Sequence, residues 1–326
     1  MAQLQATSIS CITGTFSLLS ASANTTTCGN LWYNPSINRL QYSYFGGVWS
    51  AGGALSIGRY FLAGAGEQNA GLAFGGKSPA IASCTEEYNG TSWSAGGALS
   101  TARYSLAGAG TQNAGLAFGG FATPTSRACT EEYDGSVWSA GGALITARRN
   151  LAGEGTQNAG LAFGGINPGG SCTEEYDGTS WSAGGALSTA RYSLAGAGEQ
   201  NAGLAFGGRS PSPTIAIASC TEEYNGTSWS AGGALSTARY LLAGTGTQNA
   251  GLAFGGKSPS EVVSCTEEYN GTSWSAGGYL SSLSTVRYRL AGAGTQAAGL
   301  AFGGASPSGL VSCTEEYIVG IQSCTL

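Results

Sequence analysis

The stretch WSAGGALSTARYSLAGAGTQNAGLAFGG, from Trp93 to Gly120, decides the fold, because close copies of it begin again at Trp49, Trp138, Trp181, Trp229 and Trp274. Successive tryptophans are 43 to 48 residues apart, the length of one four-stranded propeller blade. In this copy "SWSAGGALS" reads as one strand and "YSLAGAG" as a second. After the turn "TQN", "AGLAFGG" reads as a third and "ACTEEY" at 128–133 as a fourth. The Ala and Gly of the second segment suit a strand near a crowded central axis, where a radial sheet leaves least room. The tryptophan belongs on the outer strand, wedged between blades.

The link from "EEY" to the next Trp is Asn-Gly at 89, 225 and 270 and Asp-Gly at 134 and 177, which predicts a tight type I′ hairpin with positive φ at both central residues. The array starts with the outer strand at Trp49 and stops after Tyr317, one strand short of a whole number of units. The expected fold is therefore all-β, a six-bladed β-propeller closed by an N-terminal strand. The segment at Trp49 completes the blade begun near Leu290 and leaves no open edge. Seven blades are the alternative, with "NLWYNPSINRLQYSY" at 30–44 read as a hairpin of a divergent blade paired with the C-terminal "IVGIQSCTL". The organisation predicted is a short N-terminal β extension and attachment segment (1–47), the propeller (48–317) and a closing segment (318–326).

Composition narrows the function. Charged residues make up 10% of the chain and the net charge is -5, with Lys77 and Lys257 the only lysines. No basic stripe exists to neutralise a phosphate backbone, so nucleic acid is not an expected partner. No run of about 20 apolar residues predicts membrane insertion, and the N-terminus lacks the basic and apolar regions of a secretory signal; folding in a cytoplasm is expected. Six of the nine cysteines open the motif "CTEEY". Equivalent positions in stacked sheets lie about 10 Å apart, beyond the roughly 7 Å that a disulfide spans between Cα atoms. They read as free thiols and small buried fillers. Cys11, Cys28 and Cys324 lie outside the repeat, and their pairing is open. With no CxxC and no Cys/His cluster, neither a metal nor a cofactor is expected.

The chain has no histidine, which removes the commonest general base and the usual triads. Twelve of its eighteen acidic residues lie in the six "TEEY" motifs. One substrate needs one differentiated pocket, so identical carboxylates in every blade read as structural. Glu87, Glu132, Glu175, Glu223, Glu268 and Glu316 are thus grouped with the six tryptophans as repeat residues that accept backbone hydrogen bonds or pair with the repeated Arg. No catalytic residue is assigned, and an enzyme is not expected.

Because strands alternate, the "TQN" and Asn-Gly turns share one face of the disc, and the connections after Gly-Gly and through "STARY" share the other. The second face carries the length differences between copies, and loops on a rigid scaffold carry recognition. Lys77, Pro79, Arg127, Asn167, Arg209, Pro211, Lys257 and Glu261 lie in those loops. Tyr60, Tyr104, Tyr192, Tyr240 and Tyr288 follow the repeated Arg, with Arg148-Arg149 in the remaining copy. Such a ring suits an anionic or sugar surface; the competing reading is that Arg pairs with the motif Glu while Tyr packs at a strand start.

Gly75-Gly76 ending an apolar strand, then Glu87-Tyr88, Trp93 and Arg103, resemble the Kelch repeat, whose fold is a β-propeller. The resemblance covers 44–317, although these copies are more alike than is usual in that family. Some Kelch propellers resemble the copper oxidase acting on galactose, whose metal is held by histidines absent here. "YDGTSW" at 176–181 is similar to the sialidase Asp-box, but Asp177 falls one place late. The near-identical blades, preceded by "LWYNPSINRLQY" at 31–42, resemble Kelch-type virion proteins of tailed bacteriophages, of marine or cyanophage-like kind. That resemblance implies a tail-fibre, tail-associated or head-decorating protein, located in the virion and assembled in the host cytoplasm. Residues 1–47 would meet other virion proteins, the variable loops would meet host-surface glycan or protein, and a homo-oligomer is compatible with an appendage. A cytoplasmic Kelch scaffold that binds a peptide on the same face is the alternative.

Overall fold

The computed structural model describes residues 31–34, 39–166, 170–213, 215–277 and 281–325, and every helix or strand among them is a β-strand. Blade 1 comprises Ala63–Glu67, Ala70–Phe74, Thr85–Tyr88 and Trp93–Gly96, hydrogen-bonded in that order from the axis outward. Blades 2 to 5 repeat this order around inner strands Ala107–Thr111, Ala152–Thr156, Ala195–Glu199 and Ala243–Thr247. Blade 6 takes Ala291–Gly294, Ala298–Phe302 and Thr314–Thr325 from the C-terminal end and its fourth strand, Arg39–Gly52, from the N-terminal end. The ring is six-bladed and closed by the N-terminal strand, as the strand count predicts.

The hairpin at 31–42 exists, with Leu31–Asn34 against Arg39–Tyr42, but it adds a fifth strand to blade 6 and begins no seventh blade. Trp49 lies opposite Tyr317, the level at which other blades turn, and the two strands continue past it from Val48 opposite Ile318 to Gln41 opposite Thr325. This ribbon runs across positions 47 and 318 without a break and leaves the disc on the side of the Asn-Gly turns.

Crowding at the axis explains the small residues. A Cβ on Gly108 would lie 2.5 Å from Phe74 Cζ and 2.7 Å from the Gly64 carbonyl oxygen. Leu, Ala and Phe of each "LAF" are fully buried, each Leu or Phe contributing about 1.5–3 kcal/mol by leaving water. Phe74 meets Trp138 of the next blade with ring centroids 4.9 Å apart.

Three polar links repeat at every blade junction. The tryptophan indole donates to the Thr of the preceding blade at 2.9 Å, as from Trp138 to Thr85 and, across the closure, from Trp49 to Thr266. Trp93, Trp181, Trp229 and Trp274 do the same. The motif tyrosine donates to the second Glu of the preceding blade at 2.5 to 2.6 Å. Thus Tyr133 binds Glu87, Tyr176 Glu132, Tyr224 Glu175, Tyr269 Glu223, Tyr317 Glu268 and Tyr88 Glu316. The glutamine of "TQN" donates to two carbonyl oxygens of the preceding blade, Gln112 reaching Gly71 at 3.1 Å and Tyr88 at 2.7 Å.

Burial first, and then the bond to glutamate, push the hydroxyls of Tyr88, Tyr133, Tyr176, Tyr224 and Tyr269 from 10 up to about 12. A folded value above the unfolded one means that their contribution is whole below pH 10 and is lost as pH rises toward 12. In alkaline titration the part of the tyrosinate absorbance that Tyr→Phe changes at these five positions remove should rise together with loss of tertiary structure in that window. Tyrosinate formed by these five near pH 10 in an intact fold would contradict the linkage.

The Asn-Gly and Asp-Gly links differ from expectation. Only the glycine is left-handed, with φ 87° at Gly90 and 91° at Gly135, and residues 89–92 separate the paired Tyr88 and Trp93. Asn89 Oδ1 accepts from the amides of Thr91 and Ser92 at 3.0 and 2.9 Å, and Asp134 does likewise with Ser136 and Val137 at 2.8 Å. The side chain closes an Asx turn in place of a two-residue type I′ hairpin. The six repeat cysteines form no disulfide, as expected, but are half-buried instead of buried. Each directly precedes the third strand of its blade.

Candidate binding face

The repeated charges are consumed inside the blades. Arg59, Arg103, Arg148, Arg191, Arg239 and Arg287 are fully buried. They pair with Glu86, Glu131, Glu174, Glu222, Glu267 and Glu315 at 2.8 to 3.1 Å. These are the first glutamates of each motif; the second ones hold tyrosines. The Arg of each Arg-Tyr pair is thus closed to a ligand.

The tyrosines are not. Tyr60, Tyr104, Tyr192, Tyr240 and Tyr288, with Arg149 at the equivalent place, are half-buried on the loop face. Each forms an antiparallel bridge to the first residue after Gly-Gly, so Tyr60 meets Lys77, Tyr192 meets Arg209 and Tyr240 meets Lys257. Two sets of residues singled out separately in the sequence are brought together in this way. Pro79, Pro211 and Glu261 are exposed in the same loops, while Arg127 is half-buried with its amide donating to the Gly120 carbonyl at 2.8 Å. Asn167 lies outside the described residues.

Apart from the buried arginines and Arg39, every basic residue of the chain (Lys77, Arg127, Arg149, Arg209, Lys257 and Arg289) stands on this face. None makes an ion pair among the described residues. Of the six acids outside the "TEEY" motifs, Glu67, Asp134, Asp177 and Glu199 are exposed on the turn face, Glu154 is buried on an inner strand, and only Glu261 joins the cations. A chain of net charge -5 therefore presents one positive face, and such a field attracts anionic partners.

At the centre of that face lies a feature the sequence reading missed. Phe61, Ser105, Asn150, Ser193, Leu241 and Arg289 all have φ between 53 and 58°, a region that non-glycine residues enter at a cost. The amide of each donates to the carbonyl of its equivalent in the preceding blade at 2.8 to 2.9 Å, and the six bonds close a circle around the channel mouth. The backbone is six-fold while the side chains are not, so this ring displays different chemistry in each blade. Aligning the copies at the residue between Arg-Tyr and Leu-Ala would have exposed it.

Glu154 also breaks the repeat. It takes the place of Ala65, Ala109, Ala197 and Ala293 on an inner strand and is 6% exposed. Neither carboxyl oxygen has a well-formed hydrogen bond. Burial pushes this carboxyl well above its ordinary value, and the backbone amides of Leu204 and Ala197 offset part of that.

Strand order and closure together define the class, a six-bladed β-propeller with its variable loops on one face. A solved structure described as "Structure of YjhT" superposes on it with a TM-score of 0.67 and 11% identity, covering 82% of this chain and 99% of that one; at that identity the likeness extends to the fold. No protein-family model and no curated protein matches the chain.

Proposed function

We propose that this propeller is a non-enzymatic binding module of Kelch type, a bacteriophage virion appendage that meets the host surface through its loop face. The observation that carries the reading is charge segregation: of the seven cations outside the structural pairs, all but Arg39 stand on the variable face. The ribbon of Arg39–Gly52 with Thr314–Thr325 leaves on the opposite side, which favours attachment from behind and recognition in front. The phage origin rests on the style of the repeat and on the segment at 31–42. Cryo-electron microscopy of the particle tests it. The N-terminal segment is expected to dock on another virion protein with the loops outward. A chain absent from the particle, or one whose loop face is buried in it, refutes the assignment.

A further inference from the structure

Taking the loop face as the binding face, we propose that the sector around Arg289 is a site for an acidic saccharide. Its charged group would be held by Arg289 and its ring by the aromatic side chains of blades 1 and 2. Five positions of the hydrogen-bonded ring carry uncharged side chains and Arg289 is the exception. The Arg289 guanidinium lies 4.5 Å from the ring centre of Phe61, 4.9 Å from Tyr288 and 5.4 Å from Tyr60. It makes no ion pair among the described residues. Three rings fix a cation in place and leave it without a counter-charge. Holding a long side chain in advance spares a ligand the ordering cost.

The aromatic band continues from this cation. Phe61 faces Tyr104 at 5.9 Å between centroids, and Tyr104 faces Phe121 at 5.5 Å. Lys77 stands over Tyr104 at 5.6 Å and Arg149 over Phe121 at 4.7 Å. On the opposite side the mouth is lined by Ser193 and Leu241, and a single cation, Arg209, stands over Tyr240 at 5.6 Å with no second ring beside it in the band. Ring faces stack on the C–H face of a sugar, and the cations take a carboxylate or sulfate by charge-assisted hydrogen bonds. Asn150, half-buried on the same mouth, can meet hydroxyl groups. An acidic peptide fits less well, because the backbone amides of the ring are spent on one another and none is left for a peptide main chain.

Calorimetric titration of the full chain at low salt decides the matter, using a galacturonate trisaccharide, its neutral methyl ester, a heparin-derived hexasaccharide and hexaglutamate. At least one charged saccharide should bind, with the methyl ester and hexaglutamate about tenfold weaker or worse, a difference of one charge-assisted contact. Arg289→Gln should weaken binding about tenfold and leave the melting temperature unchanged, whereas Arg209→Gln in blade 4 should stay within about twofold. The site is overturned if neither charged saccharide binds, if the methyl ester or the peptide binds equally well, or if Arg289→Gln binds as the parent does. Failure here with loops outward on the particle removes the ligand and keeps the appendage. A chain missing from the particle that still binds the saccharide does the reverse.

Discussion

Replacing Arg103 with Met is expected to destabilise the propeller by about 3–5 kcal/mol, the cost of stranding one member of a buried ion pair. Arg103 donates to the carbonyls of Gly119 and Cys129 at 2.8 and 2.7 Å and to Glu131 at 3.0 Å. Without it Glu131, 2% exposed, keeps only the Ser100 amide and hydroxyl. Thermal unfolding should move down by roughly 10 °C, on the scale expected for a protein of this size. Adding Glu131→Leu should recover much of the loss, since an apolar pair is often as stable as a buried ionic one. The equivalent change in any other blade should cost a similar amount. A cost confined to one blade, or a loss of binding with no change in melting, would mean that these arginines are more than struts.

Glu154→Ala should act in the opposite direction. It restores the residue found at Ala65, Ala109, Ala197 and Ala293 and removes a carboxyl packed against the bare backbone of Gly196 and Gly203. Relieving a buried, unsatisfied polar group is worth about 1–3 kcal/mol. The gain should grow with pH. Below the ordinary value of 4.5 the group is neutral in both states. Above it the unfolded chain ionises while the folded carboxyl, raised by burial, holds its proton. The parent therefore loses stability as pH rises from 4.5 through the folded value, and the variant does not. Denaturant unfolding at pH 4.5 and pH 8 measures both terms. A variant less stable than the parent at pH 8, or a gain that shrinks with pH, would show that Glu154 is satisfied.

The ring itself was legible because Trp, Gly-Gly and Glu-Tyr recur at one spacing and each supplies its own blade contact. Closure was legible from the order of strands, which begins at Trp49 and ends at Tyr317. Hydrogen-bond geometry was less so. Asn89 and Asp134 look like type I′ residues until the strand ends are known, because a side chain that caps the backbone and a left-handed backbone favour the same residue types. Gln112 reads as a turn residue since its partners, Gly71 and Tyr88, lie in another blade. The left-handed ring at Phe61, Ser105, Asn150, Ser193, Leu241 and Arg289 shows in the aligned copies only as a variable position, for its φ is imposed by the bonds between blades and no glycine announces it. Glu154 stands where four other copies have Ala, a difference the sequence reading passed over and whose burial only the strand positions reveal.

The proposed appendage recognises its host through the positive loop face and not through the turn face. Binding of the full chain to host cells of the proposed particle separates the two faces, comparing Lys77→Glu/Lys257→Glu on the loop face with Glu67→Lys/Glu199→Lys on the turn face. All four positions are half-buried or exposed and outside the structural pairs. The loop-face pair is predicted to weaken binding at least about tenfold and the turn-face pair to change it by less than about twofold. Loss of binding in the turn-face pair, with the loop-face pair unaffected, would place recognition on the turn face instead.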